Sequence, residues 1–159
     1  MGKLTVVALR AVLVALLAGS LFVQAVMVPL LAVDLDEDAG ADLTSRRVPI
    51  VVIVILGFVA MQVVLVCVWR LVTMVGRGTV FSPAAFRYVD VVIGAFVAAA
   101  LVTFALAVVL APGEAVAPGI VLLICGVVVA ILGVALVVLV LRMLLGQATR
   151  MRAELDEVI

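Results

Sequence analysis

The residues of this chain that could do chemistry are few, and none forms a catalytic motif. The chain has no histidine, and it lacks a glycine-rich loop after a strand, a Gly-x-Ser-x-Gly motif and a pair of carboxylates at membrane depth. Its two cysteines, Cys67 and Cys125, lie inside apolar stretches without the neighbouring ligands of a metal site. We therefore expect a protein that is not an enzyme and that holds no cofactor or metal ion.

An acidic segment, residues 34–47, has the pattern closest to a cation site. The alternate aspartates from Asp34 to Asp38 have the spacing of a calcium-binding loop. However, Gly40 comes one place late for the EF-hand glycine, and Ser45 stands where the bidentate glutamate belongs. We expect a solvated polar loop on the outer side of the membrane, with weak binding of a divalent cation by the same carboxylates as the alternative.

Charged residues near the inner surface form a second group. Arg10, Arg70 and Arg142 fall at similar depth on three of the four membrane-spanning helices whose prediction is explained in the next paragraph. Asp90 lies on the remaining predicted helix. One interpretation is that each arginine extends to lipid headgroups while Asp90 pairs with Arg87, one turn earlier. The alternative is a shared inner pocket for an anionic lipid headgroup or for a side chain of a partner.

The elements that position these residues follow from composition. The chain is 69% hydrophobic and only 13% charged, and its mean hydropathy is +1.58. A soluble domain of this size could not bury so much apolar surface, and the charges separate runs of more than about 20 apolar residues. The pattern predicts an all-α polytopic membrane protein, a single domain over residues 1–159 with four transmembrane helices in two antiparallel hairpins. The predicted spans are about 4–33, 48–75, 83–111 and 119–145, followed by an amphipathic cytosolic tail, 146–159.

Two features of the spans predict how the helices pack. Pro29 removes the hydrogen bond to the carbonyl of Ala25 and should bend or end the first helix. Gln24, with Ser20 and Thr103, is among the polar residues that we place at mid-membrane depth, and we expect it to join helices rather than to bind a substrate. Small residues four apart predict close helix packing in three spans: Ala15 and Gly19, Gly94 and Ala98, and Gly126 and Ala130.

The central polar segment, residues 76–88, divides the two hairpins and predicts a helix start. Ser82 is suited to be the N-cap and Pro83 the first helical residue. Phe81 and Phe86 then occupy the two positions that a hydrophobic staple brings together.

The tail places apolar residues on one helical stripe, in which Met151, Leu155 and Val158 are the candidate docking residues. We expect a short amphipathic helix that docks a cytosolic protein, or that lies on the membrane surface or against the central segment.

Lysine and arginine residues predict the orientation. With both termini inside, the inner side holds eight of the ten basic residues, and the outer side holds only Arg46 and Arg47. This bias predicts cytoplasmic termini in a multi-pass protein of the cell membrane.

The residues from Gly78 to Pro83, GTVFSP, a following helix with Arg87 and Gly94, and an acidic tail that begins at Arg152 resemble the bacterial domain-of-unknown-function 2975 family. The resemblance implies a small four-span protein with such a segment between its second and third spans. Genes of that family often lie beside a gene for a small Cro-like helix-turn-helix regulator, which implies a regulatory partnership.

These observations favour a regulatory or interaction protein that presents its cytoplasmic segment and tail to a partner. The alternative is a small oligomeric transporter or permeation protein, although an ionisable residue deep in a span is lacking. Membrane lipids, a cytosolic helix-turn-helix regulator and further copies of the chain are the expected partners, without direct binding of nucleic acid. The candidate residues of the inner face are Arg10, Arg70, Arg77, Phe81, Ser82, Pro83, Arg87, Asp90 and Arg142.

Overall fold

The fold is known from a computed structural model, which describes residues 3–37, 41–76, 83–112 and 116–158. These residues form α1 (Lys3–Phe22), a π-helical turn (Val23–Met27), α2 (Val28–Glu37), α3 (Ala41–Gly76), α4 (Pro83–Leu110) and α5 (Pro118–Val158). Four segments are long and apolar enough to cross a membrane: Leu4–Asp34, Ser45–Gly76, Ala84–Leu110 and Pro118–Leu155. The predicted all-α membrane protein with four spans is confirmed.

Contacts between helices show that neighbours run antiparallel. Arg10 near the start of α1 contacts Thr73 near the end of α3, and Arg46 near the start of α3 contacts Val109 near the end of α4. Helices α1 and α2 pack against α3, α3 packs against α4, and α4 packs against α5. Over the described ranges α1 and α5 do not pack along each other, so the four-helix bundle is an open row and not a closed ring.

This topology places the start of α1, the end of α3, the start of α4 and the end of α5 on one side of the bundle, which we call the terminal face. The opposite side carries the end of α2, the start of α3, the end of α4 and the start of α5. Among the candidate residues of the predicted inner surface, Arg10, Arg70, Arg87, Asp90 and Arg142 lie in the described helices and belong to the terminal face.

Alanines, and not the predicted glycine pairs, allow the helices to approach. Ala85, Ala100 and Ala107 of α4 and Ala135 of α5 are buried, as suits a helix that packs against neighbours on both sides. In contrast, the three predicted pairs that contain Gly19, Gly94 and Gly126 are exposed. A methyl group added to any of these glycines would meet nothing within 4 Å. The prediction that these pairs pack α1, α4 and α5 within the chain was therefore wrong.

Pro29 alters the hydrogen bonding of the turn that precedes it, and the helix does not end there. The N–H of Val28 bonds to the carbonyl of Val23, the spacing of a π-helix, and α2 then continues to Glu37. A proline ring crowds the carbonyl four residues before it, and an extra residue in the preceding turn relieves that crowding. The disturbance predicted at Pro29 is thus a π-helical turn at Gln24.

The acidic segment is mostly helical, which corrects the predicted loop over residues 34–47. Helix α2 extends to Glu37 and α3 already begins at Ala41, eight residues before Pro49. The prediction failed because hydropathy indicates where a helix leaves the lipid and not where it ends. Proline also need not begin α3, since Pro49 lies inside it.

Helix α5 corrects the prediction of a separate short helix in the tail. It runs without interruption for 41 residues, through Gly146 to Val158. A glycine inside a helix costs about 1 kcal/mol relative to alanine. The helix nevertheless continues through Gly146. In this turn the Thr149 hydroxyl contacts the carbonyls of Leu145 and Gly146 at 3.1 and 2.9 Å. The tail is therefore the continuation of a transmembrane helix and not a separate one.

Candidate functional site

The charged residues of the terminal face form two separate clusters. The first joins α4 to α5, where Arg142 donates a hydrogen bond from Nη2 to Oδ2 of Asp90 at 2.8 Å. The Nε atom of Arg142 lies 2.5 Å from Oδ1 of the same carboxylate but forms no hydrogen bond with it. This is a close ion pair between helices, at a site where both side chains retain access to the surroundings.

The pairing of Asp90 with Arg87 was wrong. Arg87 is exposed, and it makes no contact with Asp90 in the described part of the chain. A pair three residues apart on an exposed helix surface gains only about 0.2–0.5 kcal/mol. Arg142 instead approaches from the packed neighbour α5 and meets the carboxylate with two nitrogens.

The second cluster joins α1 to α3. Arg10 places its guanidinium carbon 5.8 Å from the centroid of the Trp69 ring, within the range of a cation–π contact. Its Nη2 donates to the Thr73 hydroxyl at 3.5 Å, and that hydroxyl in turn donates to the carbonyl of Trp69 at 2.9 Å. The Nε atom of Arg10 is buried and has no partner among the described residues. The cluster therefore holds a cation that has no neighbouring carboxylate among the side chains that the structure describes.

The two clusters do not merge into the shared pocket that was the alternative interpretation. Arg70 is exposed, and no contact within the described segments joins Arg10 or Arg70 to Asp90 or Arg142. The open row explains this separation, since α1 and α5 lie at opposite ends of it.

The end of α5 carries the candidate docking stripe. Met151 and Leu155 are 59% and 65% exposed, and Glu154 beside them is exposed as well. Val158 belongs to the same helix, but its side chain lies outside the described part. No neighbour in the described part of the chain covers this apolar stripe.

A polar seam joins the mid-membrane parts of α1 and α3, and only part of it was predicted from the sequence. Gln62 donates to Oε1 of Gln24 at 2.6 Å and approaches the Ser20 hydroxyl at 3.3 Å. Nε2 of Gln24 reaches the carbonyl of Ile55 at 3.5 Å. Gln24 thus joins helices as predicted, and its partner Gln62 was missed. The signal that could have found it was a glutamine in the middle of the second apolar run.

On the opposite side, Arg46 holds the end of α4. Its Nη1 donates to the carbonyl of Val109 at 2.9 Å and also contacts the carbonyl of Pro112. The last carbonyls of a helix have no partners inside it and carry a partial negative charge. Arg46 therefore serves as a cap supplied by a neighbouring helix, a role that sequence analysis did not assign to it.

A groove of about 540 Å³ opens between α3 and α4 at mid-membrane depth. Its walls are apolar and include Phe58, Met61 and Phe96, and Gly57 provides space. Its one hydroxyl, on Thr103, already bonds to the carbonyl of Ala99 at 2.8 Å. The described lining of the groove offers room for a hydrocarbon chain or an apolar side chain but no group that would select a polar substrate.

Residues 30–159 match a family described as "Protein of unknown function (DUF2975)". The chain belongs to the DUF2975 family. This confirms the resemblance that rested on the central segment and the tail. No curated protein and no solved structure matches the chain.

The residues that match the DUF2975 family include some of the polar contacts of the structure and exclude others. Asp90, Arg142 and the end of α5 lie within the matched residues, whereas Arg10 and Gln24 precede them. The contacts of α1 with α3 therefore join a part outside the family match to a part inside it.

Several sequence predictions for this DUF2975 chain fall partly or wholly outside the described residues. Pro83 is the first residue of α4, as expected. Arg77, Phe81 and Ser82 lie outside the described residues, so the N-cap and the staple stay predictions. Within the described residues no group of three or more acidic, histidine or cysteine side chains could hold a metal ion. The side chains of residues 35–44 are not described, so weak cation binding there also stays a prediction.

Proposed function

We propose that this DUF2975 protein is a non-enzymatic regulatory or interaction protein of the cell membrane, with both termini in the cytoplasm. Its terminal face presents the end of α5 to a soluble partner. The observation that carries the proposal is the unbroken course of α5 to Val158 with Met151 and Leu155 exposed. The partner is a small cytosolic helix-turn-helix regulator, which the family resemblance implies.

The length of α5 supports this role. A helix of 41 residues is roughly 62 Å long, about twice the thickness of the hydrocarbon core. A rigid part of the helix thus extends beyond the lipid and holds Met151 and Leu155 away from it. Amphipathic helices with such stripes bind in apolar grooves of partner proteins.

The acidic residue beside the stripe favours a protein partner over the bilayer. Glu154 lies between Met151 and Leu155 in sequence and is exposed. The inner leaflet of the membrane is itself negative and repels carboxylates. A protein groove with basic residues along its rim complements both the apolar stripe and the acidic side.

The orientation rests on the bias of basic residues toward the terminal face. The contacts of Arg46 with the end of α4 give a structural reason for a basic residue on the opposite side. That arginine therefore does not argue against cytoplasmic termini.

The test is co-purification of the family's small helix-turn-helix regulator with the membrane protein in detergent. The intact chain should retain the regulator, and a chain that ends at Gly146 should lose it. Leu155→Asp should weaken retention at least about tenfold, because it places a charge in an apolar contact. Ala153→Asp is the matched control, since it adds the same charge to an exposed position on the other side of the helix. Equal retention by the Leu155 variant and the intact chain would overturn the proposed docking site.

The alternative, a small transporter, rests on the polar seam at mid-membrane depth. Gln24 and Gln62 bond to each other, which favours a role in joining α1 to α3. Reproducible solute flux from purified protein in liposomes, abolished by Gln24→Leu, would support transport instead.

A further inference from the structure

Arg10 is a cation that the described part of the protein leaves without a counter-charge. The ion pair on the same face belongs to Arg142 and Asp90. Arg10 has only a long hydrogen bond to a neutral hydroxyl and the face of an aromatic ring. Its buried Nε has no acceptor within the described ranges. The site is therefore short of an anion.

The depth of Arg10 indicates where that anion comes from. The first span, Leu4–Asp34, has 31 residues and is roughly 46 Å long, longer than the hydrocarbon core by about 16 Å. Arg10 lies roughly 10 Å along α1 from its first residue, which places it close to the boundary between hydrocarbon and headgroups. Trp69, which it contacts, is a residue type enriched at that boundary.

The cluster orients the guanidinium toward such an anion. The Thr73 hydroxyl is held by the Trp69 carbonyl and accepts from Nη2 of Arg10. The Trp69 ring supports the guanidinium from one side. A guanidinium has five N–H donors in a planar fork that matches phosphate oxygens. Arg10 is only half-buried, so part of its side chain stays open to a ligand.

We propose that Arg10, Trp69 and Thr73 form a binding site for the phosphodiester of an anionic phospholipid. A choline headgroup carries its own cation, which competes with Arg10 for the phosphate. Phosphatidylglycerol has no such cation and leaves its phosphate to the arginine. This site is independent of the docking stripe on α5.

Trp69 reports on the site directly, because it is the single tryptophan of the chain. Purified protein is placed in phosphatidylcholine vesicles, and either phosphatidylglycerol or phosphatidylcholine with brominated acyl chains is added in steps. Bromine quenches a tryptophan that it contacts. We expect the brominated phosphatidylglycerol to bind the site with about tenfold higher affinity than the brominated phosphatidylcholine. A factor of this size is what one hydrogen bond between charged groups contributes.

Arg10→Gln should abolish this preference, and Arg10→Lys should keep part of it, since the charge remains without the planar fork. Arg70→Gln is the matched control: it removes the same charge next to Trp69, but Arg70 is exposed and contacts nothing in the cluster. It should keep the full preference. An unchanged helical circular-dichroism signal in vesicles of phosphatidylcholine alone verifies that each variant is folded.

Three results would overturn the proposal. In the first, the intact protein shows no preference for phosphatidylglycerol. In the second, Arg70→Gln loses as much preference as Arg10→Gln, which would indicate that the general positive charge of the surface attracts the lipid. In the third, millimolar inorganic phosphate would displace the brominated lipid from the intact protein, which would make free phosphate the ligand.

Discussion

Asp90 of α4 and Arg142 of α5 join two helices at the terminal face through a 2.8 Å hydrogen bond and a 2.5 Å ion contact. Asp90 keeps half of its side chain exposed, so the surroundings screen part of the attraction. A partly exposed pair of this kind contributes up to about 1 kcal/mol.

We expect Asp90→Asn to destabilise the protein by about 1 kcal/mol and a double-mutant cycle with Arg142→Gln to show coupling of similar size. Unfolding in detergent mixtures, followed by circular dichroism, measures both. Arg87→Gln is the control, because Arg87 is exposed and separate from Asp90. Coupling of Asp90 with Arg87, and none with Arg142, would contradict the observed pairing.

The polar seam predicts a second coupling. Gln62→Leu should cost about 0.6–1.7 kcal/mol, the range for hydrogen bonds between transmembrane helices. The cost should be smaller when Gln24 is already leucine, because Gln62 then keeps only its longer contact with the Ser20 hydroxyl. Gln147→Leu makes the same chemical change at an exposed position and should leave stability within about 0.5 kcal/mol. Additive effects of the two seam variants would show that the bond contributes nothing.

Arg46→Gln should loosen the end of α4 without unfolding the protein. The carbonyls of Val109 and Pro112 lose a charged donor, a change that costs about 1–2 kcal/mol locally. Amide hydrogen exchange should accelerate roughly tenfold from Leu110 to Ala111, where the N–H of Ala111 bonds to the carbonyl of Ala107. Arg70→Gln should leave exchange there unchanged. If both variants accelerate it equally, Arg46 is not the cap.

Ser82→Ala tests the N-cap predicted for α4, which begins at Pro83. Loss of a serine cap costs about 1 kcal/mol, and amide exchange from Ala84 to Arg87 should rise accordingly. Ser82→Asp, which preserves a capping oxygen, should restore slow exchange. Unchanged exchange in the alanine variant would show that Ser82 does not cap the helix.

Reporters active on one side of the membrane test the orientation. A reporter fused after Ile159 should give a cytoplasmic signal, and one inserted between Asp38 and Gly40 should give the opposite signal. Both results follow from the concentration of basic residues near the terminal face. A signal from outside the cell for the fusion after Ile159 would reverse the proposed topology and remove the cytosolic docking site.

Particular residues show how far prediction from sequence reached. Pro83 was correctly placed at a helix start because a proline there has only local requirements. Gln24 was correctly expected to join helices because an amide in lipid needs a partner. The partner itself, Gln62, lies 38 residues away in sequence, and no local pattern indicates which residue faces which.

The number of spans and the alternation of their directions were determined by the sequence itself, because the length and hydropathy of each run are local properties and short connections make neighbours antiparallel. The tertiary structure decided which side chains meet. It paired Asp90 with Arg142, placed Arg10 against Trp69 with no carboxylate among its described neighbours, and brought Arg46 to the end of α4. These contacts depend on the rotation and the register of each helix against its neighbour. Nearly uniform apolar runs such as these leave the rotation and the register of each helix undetermined, since every face of the helix is acceptable to lipid.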